Sequence, residues 1–170
     1  IRTPTVFLSN KHIAQRHFNA FVFGKFLQAE VLDEPVLGQV KQEIRLETFL
    51  PLESRQRIPD SWFQIRPVNL ILDFVEWLSK QEESKLFRTN PGRALVNAVT
   101  GFRNGQNVAQ EKYQKVISEI AEELSELTNE RQKLFKQGGS TSDIERVIKE
   151  ILSNDISTVL AKRGFLPRYA

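Results

Sequence analysis

The strongest constraint in this chain is a row of apolar residues spaced at alternating steps of four and three. Tyr113, Ile117, Ile120, Leu124, Leu127 and Leu134 form it, with Arg131 as the one polar interruption. A repeat of that period lies on one face of an α-helix, as in a coiled coil or a long bundle helix. It predicts a helix from Gln106 to Gln137, about 48 Å long at the helical rise per residue. A stripe of that length has to be covered, and the sequence supplies a cover at once. Gly138-Gly139 ends the helix, and Ser142 with Glu145 three positions on reads as a capping box that opens the next. The pattern predicts a mainly α fold: a helical domain with a long antiparallel helical hairpin near the C-terminus.

Residues 1–105 read as a helical body with a short N-terminal extended segment, and 106–170 as the hairpin, together one compact domain. Residues 3–8 follow a proline and are rich in β-formers, so they are expected to be extended. Ser9 or Asn10 then caps a helix to about Ala29. Ile13, His17, Phe21 and Gly24 share one of its faces, while Ala14, Phe18 and Phe21 mark the neighbouring one. A glycine inside a helix costs about 1 kcal/mol against alanine, so Gly24 suggests the close approach of another backbone. Phe18, Phe21, Phe23 and Phe26 read as core aromatics, because base-stacking rings are usually interleaved with Arg and Gly. Leu37 to Thr48 is expected to be helical, and 51–66 a loop carrying Trp62 and Phe63. Further helices are expected from Pro67 to about Glu83, from Asn90 to about Gly101, and from about Asp143 to Arg163. Gly164 ends the last of these in a left-handed cap.

Composition removes several classes of chemistry. There is no Cys, which excludes disulfides and thiolate metal sites. The two histidines, His12 and His17, are about 140° apart on a helix and cannot chelate one metal together. No metal and no cofactor is expected. No apolar run reaches the roughly 18 residues that cross a bilayer, and no signal peptide opens the chain, so no membrane association and a cytoplasmic location are expected. The chain opens on Ile1 and holds no Met, the expectation for a piece of a larger protein. Neither a G-x-x-x-x-G-K-[ST] phosphate loop nor a strand-anchored G-x-G-x-x-G occurs. No triad or carboxylate pair stands out either. The chain by itself is expected to have no catalytic residue and not to bind or hydrolyse ATP.

Charge is informative through its distribution, since the net value is only +3. Ile1–Ala29 holds Arg2, Lys11, Arg16 and Lys25 with no acid, and Ser84–Gln110 holds Lys85, Arg88, Arg93 and Arg103 with no acid. The middle of the long helix carries Glu119, Glu122, Glu123, Glu126 and Glu130 instead. Phosphate is tolerated at the two basic windows and repelled by the glutamates. Lys11, Arg16, Arg93 and Arg103 are the candidate contacts to a nucleic-acid backbone. Between Gly101 and Asn107 a two-glycine loop precedes a helix start, a geometry that holds an anion or is an ordinary interhelical connection.

Two short strings are more specific. One is Asn10-Lys11-His12-Ile13-Ala14-Gln15-Arg16-His17-Phe18-Asn19-Ala20, preceded by Val6-Phe7-Leu8-Ser9; the other is Arg163-Gly164-Phe165-Leu166-Pro167-Arg168-Tyr169-Ala170. The pair resembles a region of large superfamily 2 DEAD/DEAH-box helicases that carry an extra C-terminal domain. There, an Asn…Arg-His-x-x-Ala string opens a segment beyond the second helicase lobe. A Gly-[Leu/Phe]-Leu-Pro-x-Tyr-x-Phe-Pro string closes a helical segment, and this chain stops before its Phe-Pro. The resemblance implies a non-catalytic accessory domain that packs on the helicase lobes of the same parent protein, with DNA or RNA as the substrate translocated by the whole. ATP binding belongs to the parent alone. The competing reading is a protein–protein interaction module acting through the helical hairpin.

Overall fold

The computed structural model describes residues 10–30, 44–65, 67–68 and 70–168. Of these, 72% are helical and no sheet is present among them. In chain order the α-helices are α1 (Lys11–Glu30), α2 (Leu52–Arg55), α3 (Phe74–Ser79), α4 (Glu83–Leu86), α5 (Asn90–Ala98), α6 (Phe102–Lys136), α7 (Ser142–Ser153) and α8 (Ile156–Lys162). Tight 3-10 turns stand at Leu46–Phe49 and Asp60–Trp62. The extended segment expected at 3–8, and most of the helix expected from Leu37, lie outside the described residues.

The described residues fall into two compact units. The first is drawn from Ile1–Glu34, Asp73–Val116 and Leu160–Ala170; the second from Pro35–Leu72 and Ile117–Val159. The boundary passes through α6 at 116–117, whereas the sequence pattern changes at 105–106.

In the first unit the Asn10 side chain caps α1, its Oδ1 accepting the His12 and Ile13 amides at 3.0 and 3.2 Å. The buried face of α1 is Ala14, Phe18, Asn19, Val22, Phe23 and Phe26, shifted from the His17–Phe21–Gly24 row read in the sequence. It feeds an aromatic core. Phe23 meets Phe74 at 5.2 Å and Phe165 at 6.0 Å, both edge-to-face, and Tyr113 lies 5.0 Å from Phe74 and 5.7 Å from Phe165. Tilted and T-shaped pairs are the favoured arrangements of ring quadrupoles, each adding about 0.5–1.5 kcal/mol beyond area burial. Phe18, Phe21, Phe87 and Phe102 form a second cluster, with Phe21 stacked on Phe87 at 4.7 Å.

The start of α6 runs parallel to α1. Gln15 Nε2 donates to the Gly105 carbonyl at 3.0 Å, and eight residues further along each helix Phe23 packs on Tyr113. Close approach is made at Gly105, where a Cβ would stand 2.7 Å from Val99 Cγ2 and 2.9 Å from Phe18 Cζ. Gly24 has no such role, because a Cβ there meets nothing within 4 Å. The helix expected from Pro67 begins only at Phe74, since Asp73 caps it by accepting the Glu76 amide at 3.0 Å. Just before it, the Leu72 amide donates to the Thr48 carbonyl and holds the approach extended. α6 itself opens at Phe102, one turn before the expected Gln106.

In the second unit Tyr113's successors on the heptad row behave as read: Ile117, Ile120 and Leu124 are buried. Cover fades beyond them, and Leu127 and Leu134 are half-exposed. The turn at Gly138 has φ +76, with the Gly139 amide on the Leu134 carbonyl and the Gly138 amide on Phe135, a Schellman closure. α6 and α7 meet through Arg131 Nε and Glu145 Oε2, 3.7 Å apart, an ion pair too long for a hydrogen bond. Trp62 stands against both helices, its ring 4.9 Å from the Arg131 guanidinium and 5.2 Å from the Lys149 ammonium. α7 packs its backbone on the 46–49 turn.

The single helix expected over 143–163 is broken at Asn154–Asp155. The Leu46 amide donates to the Asn154 carbonyl and the Ile156 amide to the Ile44 carbonyl, each at 2.8 Å. Arg45 and Asp155 thus pair as a two-residue β-bridge, and Asp155 Oδ2 accepts the Thr158 amide at 3.1 Å to restart the helix. Gly164, at φ +85, closes α8 as expected, with the Phe165 amide on Leu160 and its own amide on Ala161.

Three substitutions test this packing by urea denaturation. Gly24→Ala is expected to stabilise by about 0.5–1 kcal/mol, having helix propensity to gain and no neighbour to strike. Gly105→Ala is expected to cost about 1–3 kcal/mol, because its Cβ overpacks the α1–α6 contact. The buried Tyr113 hydroxyl has no hydrogen-bond partner among the described residues, and burial, with Asp73 nearby, holds its pKa far above the usual phenol value. Tyr113→Phe is therefore expected to be neutral or to stabilise by up to about 1 kcal/mol.

Candidate nucleic-acid interface

The parallel run of α1 and α6 sets the two helix starts side by side in the first unit. Neither helix has an acid in its first turn. The positive ends of their dipoles therefore lie toward the same end of the unit, although the His12 and Ile13 amides of α1 are already taken by Asn10. Lys11 on α1 and Arg103 on α6, both exposed, stand at that end. Two of the four candidate contacts thus stand on the first turns of these two helices. The 101–107 stretch, read as either an anion-holding loop or an ordinary interhelical connection, instead opens α6 from Phe102, with the Gly105 amide on the Gly101 carbonyl.

Arg16 lies elsewhere on α1, about 140° round from Lys11 at 100° per residue. Its guanidinium reaches the far end of the chain, with Nη2 3.8 Å from where a Cβ on Gly164 would stand; Lys112 Nζ is 3.9 Å from the same point. Beneath this pair, Asn19 is 1% exposed and its Nδ2 donates to the Phe165 carbonyl at 2.9 Å. Gln15 Nε2 donates in turn to Asn19 Oδ1 at 2.8 Å. The two strings that carry the helicase resemblance, though at opposite ends of the sequence, are therefore one hydrogen-bonded junction. Asn19 was hidden in the sequence by its apolar neighbours, and the available signal was a lone amide on a face otherwise filled by Phe18, Val22 and Phe23.

Arg93 is separate again. It lines an open groove of about 750 Å³ with Glu82, Glu83, Ser84, Phe87 and Arg88. Acid-free as it is in sequence, the second basic window folds against carboxylates from just before it, so Arg93 faces a mixed field. His17 is half-buried, and that burial lowers its pKa and favours the neutral ring. Among the described residues no group of three or more His, Asp or Glu could hold a metal ion.

The second unit contains a polar cluster that composition and spacing do not announce. Arg55 is 6% exposed and donates to the carbonyls of Leu50, Val68 and Glu47. The Glu47 carboxylate, in a residue 2% exposed, accepts the amides of Gln64 at 2.9 Å and Ile65 at 3.2 Å. The pair does not form a direct side-chain ion pair; each side chain ties down backbone outside the α-helices. Burial raises the Glu47 pKa above the usual carboxylate value, opposed by the two amides and by Arg45 and Arg55. Burial likewise lowers the Arg55 pKa, with Glu47 acting against it. The arrangement is structural: the acid and the base are spent on backbone, and neither is presented to a substrate.

Comparisons with protein-family models, curated proteins and solved structures return no match. Among the described residues, no helix is long and apolar enough to cross a membrane.

The Arg55 cluster gives a direct test. Arg55→Ala strands three carbonyls and is expected to cost about 3–5 kcal/mol in urea denaturation. Arg55→Lys, a point charge without the planar fork, is expected to recover only part of that. The raised Glu47 pKa favours the protonated form in the folded protein. Its contribution to stability is fully present below the unfolded pKa and is lost as pH rises through the folded one. Melting temperature followed against pH should show that decline in the wild type and a flatter curve in Glu47→Gln.

Proposed function

We propose that this chain is a non-catalytic helical accessory domain of an ATP-dependent nucleic-acid helicase, packing on the motor lobes and contacting the nucleic-acid backbone. The observation that carries the reading is the shared end of α1 and α6. Two adjacent helix N-termini free of acids, flanked by Lys11 and Arg103, suit phosphate without reading bases. The junction of Asn19 with Phe165 supports the parentage, since it makes one structural element of the two strings that resemble the helicase region. The reading assigns no catalytic residue.

A second reading has an observation of its own. Phe135, near the end of α6, is 73% exposed, and Val147 of α7 is 37% exposed. Uncovered apolar side chains at the end of a helix suit a protein partner.

Fluorescence anisotropy with labelled single- and double-stranded DNA and RNA at low salt separates the two. The proposal expects weak binding, on the order of tens of micromolar, indifferent to sequence and falling steeply with salt. Reversing Lys11 and Arg103 together to Glu should weaken it about equally for every sequence and reduce the salt dependence by about two phosphate contacts. Absence of binding to all four probes overturns the nucleic-acid reading and leaves the protein-partner one.

A further inference from the structure

We propose that Arg16 and Lys112 form a seat for one phosphate group over the backbone of Gly164. The two nitrogens each lie within 4 Å of one point, where a side chain on residue 164 would begin. Glycine leaves that space open, and its φ of +85 disfavours any other residue. The cations are therefore no more than about 8 Å apart, within about one Debye length at physiological ionic strength, so each feels the other's charge.

The field at the α8 C-terminus favours cations here, but two kinds of protein hydrogen-bond partner that could also take up such a pair do not do so among the described residues. Cations near a helix C-terminus can bind its last carbonyls. Here those carbonyls are already served. The Leu160 carbonyl accepts the Phe165 and Leu166 amides, Ala161 accepts the Gly164 amide and Arg168 Nε at 3.4 Å, and Lys162 accepts Arg168 Nη2 at 2.8 Å. Nor is either cation in an ion pair with a carboxylate among the described residues. Their donors remain unspent. Rigidity comes from below, where the Gln15–Asn19–Phe165 chain of hydrogen bonds fixes α1 against the 164–166 turn. A guanidinium and an ammonium this close together over the Gly164 backbone can each donate a charge-assisted hydrogen bond, about 2.8 Å long, to oxygens of one phosphate lying outside that backbone.

The phosphate can belong to a nucleic-acid backbone or to a small phosphorylated molecule. Only the first source rests on the function proposed above; the seat itself uses different residues from the α1–α6 end. NMR titrations of the full chain with inorganic phosphate and with a single-stranded oligothymidylate decide both points. The seat predicts saturable shifts at Arg16, Lys112 and Gly164, abolished in Arg16→Gln/Lys112→Gln, whose melting temperature should match the wild type. With the oligonucleotide, that double variant should also bind about tenfold more weakly and lose about 1.4 from its logarithmic salt slope. Shifts with phosphate but not oligonucleotide keep the seat and reject the nucleic-acid backbone as its ligand. Shifts with neither probe, or shifts that persist in the double variant, overturn the proposal.

Discussion

A carbonyl that leaves a helix and enters the interior must find a donor, because an unpaired buried one costs about as much as a whole hydrogen bond is worth. Each unit of this protein meets that demand with a side chain brought from a distance. In the first, Asn19 serves the carbonyl of Phe165, 146 residues away. In the second, Arg55 serves three carbonyls of the irregular 44–72 segment, and Glu47 serves two of its amides. Buried aromatic and aliphatic side chains form the cores, but these polar side chains decide where the non-helical backbone can lie.

That division explains what was legible in the sequence. The long helix, the left-handed stops at Gly138 and Gly164 and the short helix opening at Asn90 are local events, written in residues a few positions apart. What escaped is non-local. Asn154 and Asp155 are cap-forming residues, but the break they allow is fixed from a distance, by Ile44 and Leu46 pairing across it. The helix expected from Pro67 is delayed by a hydrogen bond to Thr48, more than twenty residues earlier. Gly24 and Gly105 both sit inside helices, and only the neighbours distinguish them: Phe18 and Val99 press on one, and nothing presses on the other.

Charge shows the same limit in another form. Windows counted along the chain treat Lys11, Arg16, Arg93 and Arg103 as equivalent. Folding sorts them into three environments: a pair at the start of two parallel helices, a guanidinium beside Lys112 over Gly164, and an arginine sharing its groove with Glu82 and Glu83. Lys112 was not in either window, because its sequence neighbour Glu111 masks it. A cation's partner depends on which helix face it leaves from, and a one-dimensional count does not carry that.

The sequence holds two tryptophans, and the fold gives one to each unit. Trp77 packs its indole on Phe26 and Phe74 at 5.4 and 6.3 Å, among neutral rings. Trp62 has its indole between a guanidinium and an ammonium, in a field of fixed positive charge. The two fluorophores therefore see opposite surroundings, and emission from a protein keeping only one of them reports on a single unit. Whether the units melt together or in succession becomes an optical question, answered without any label.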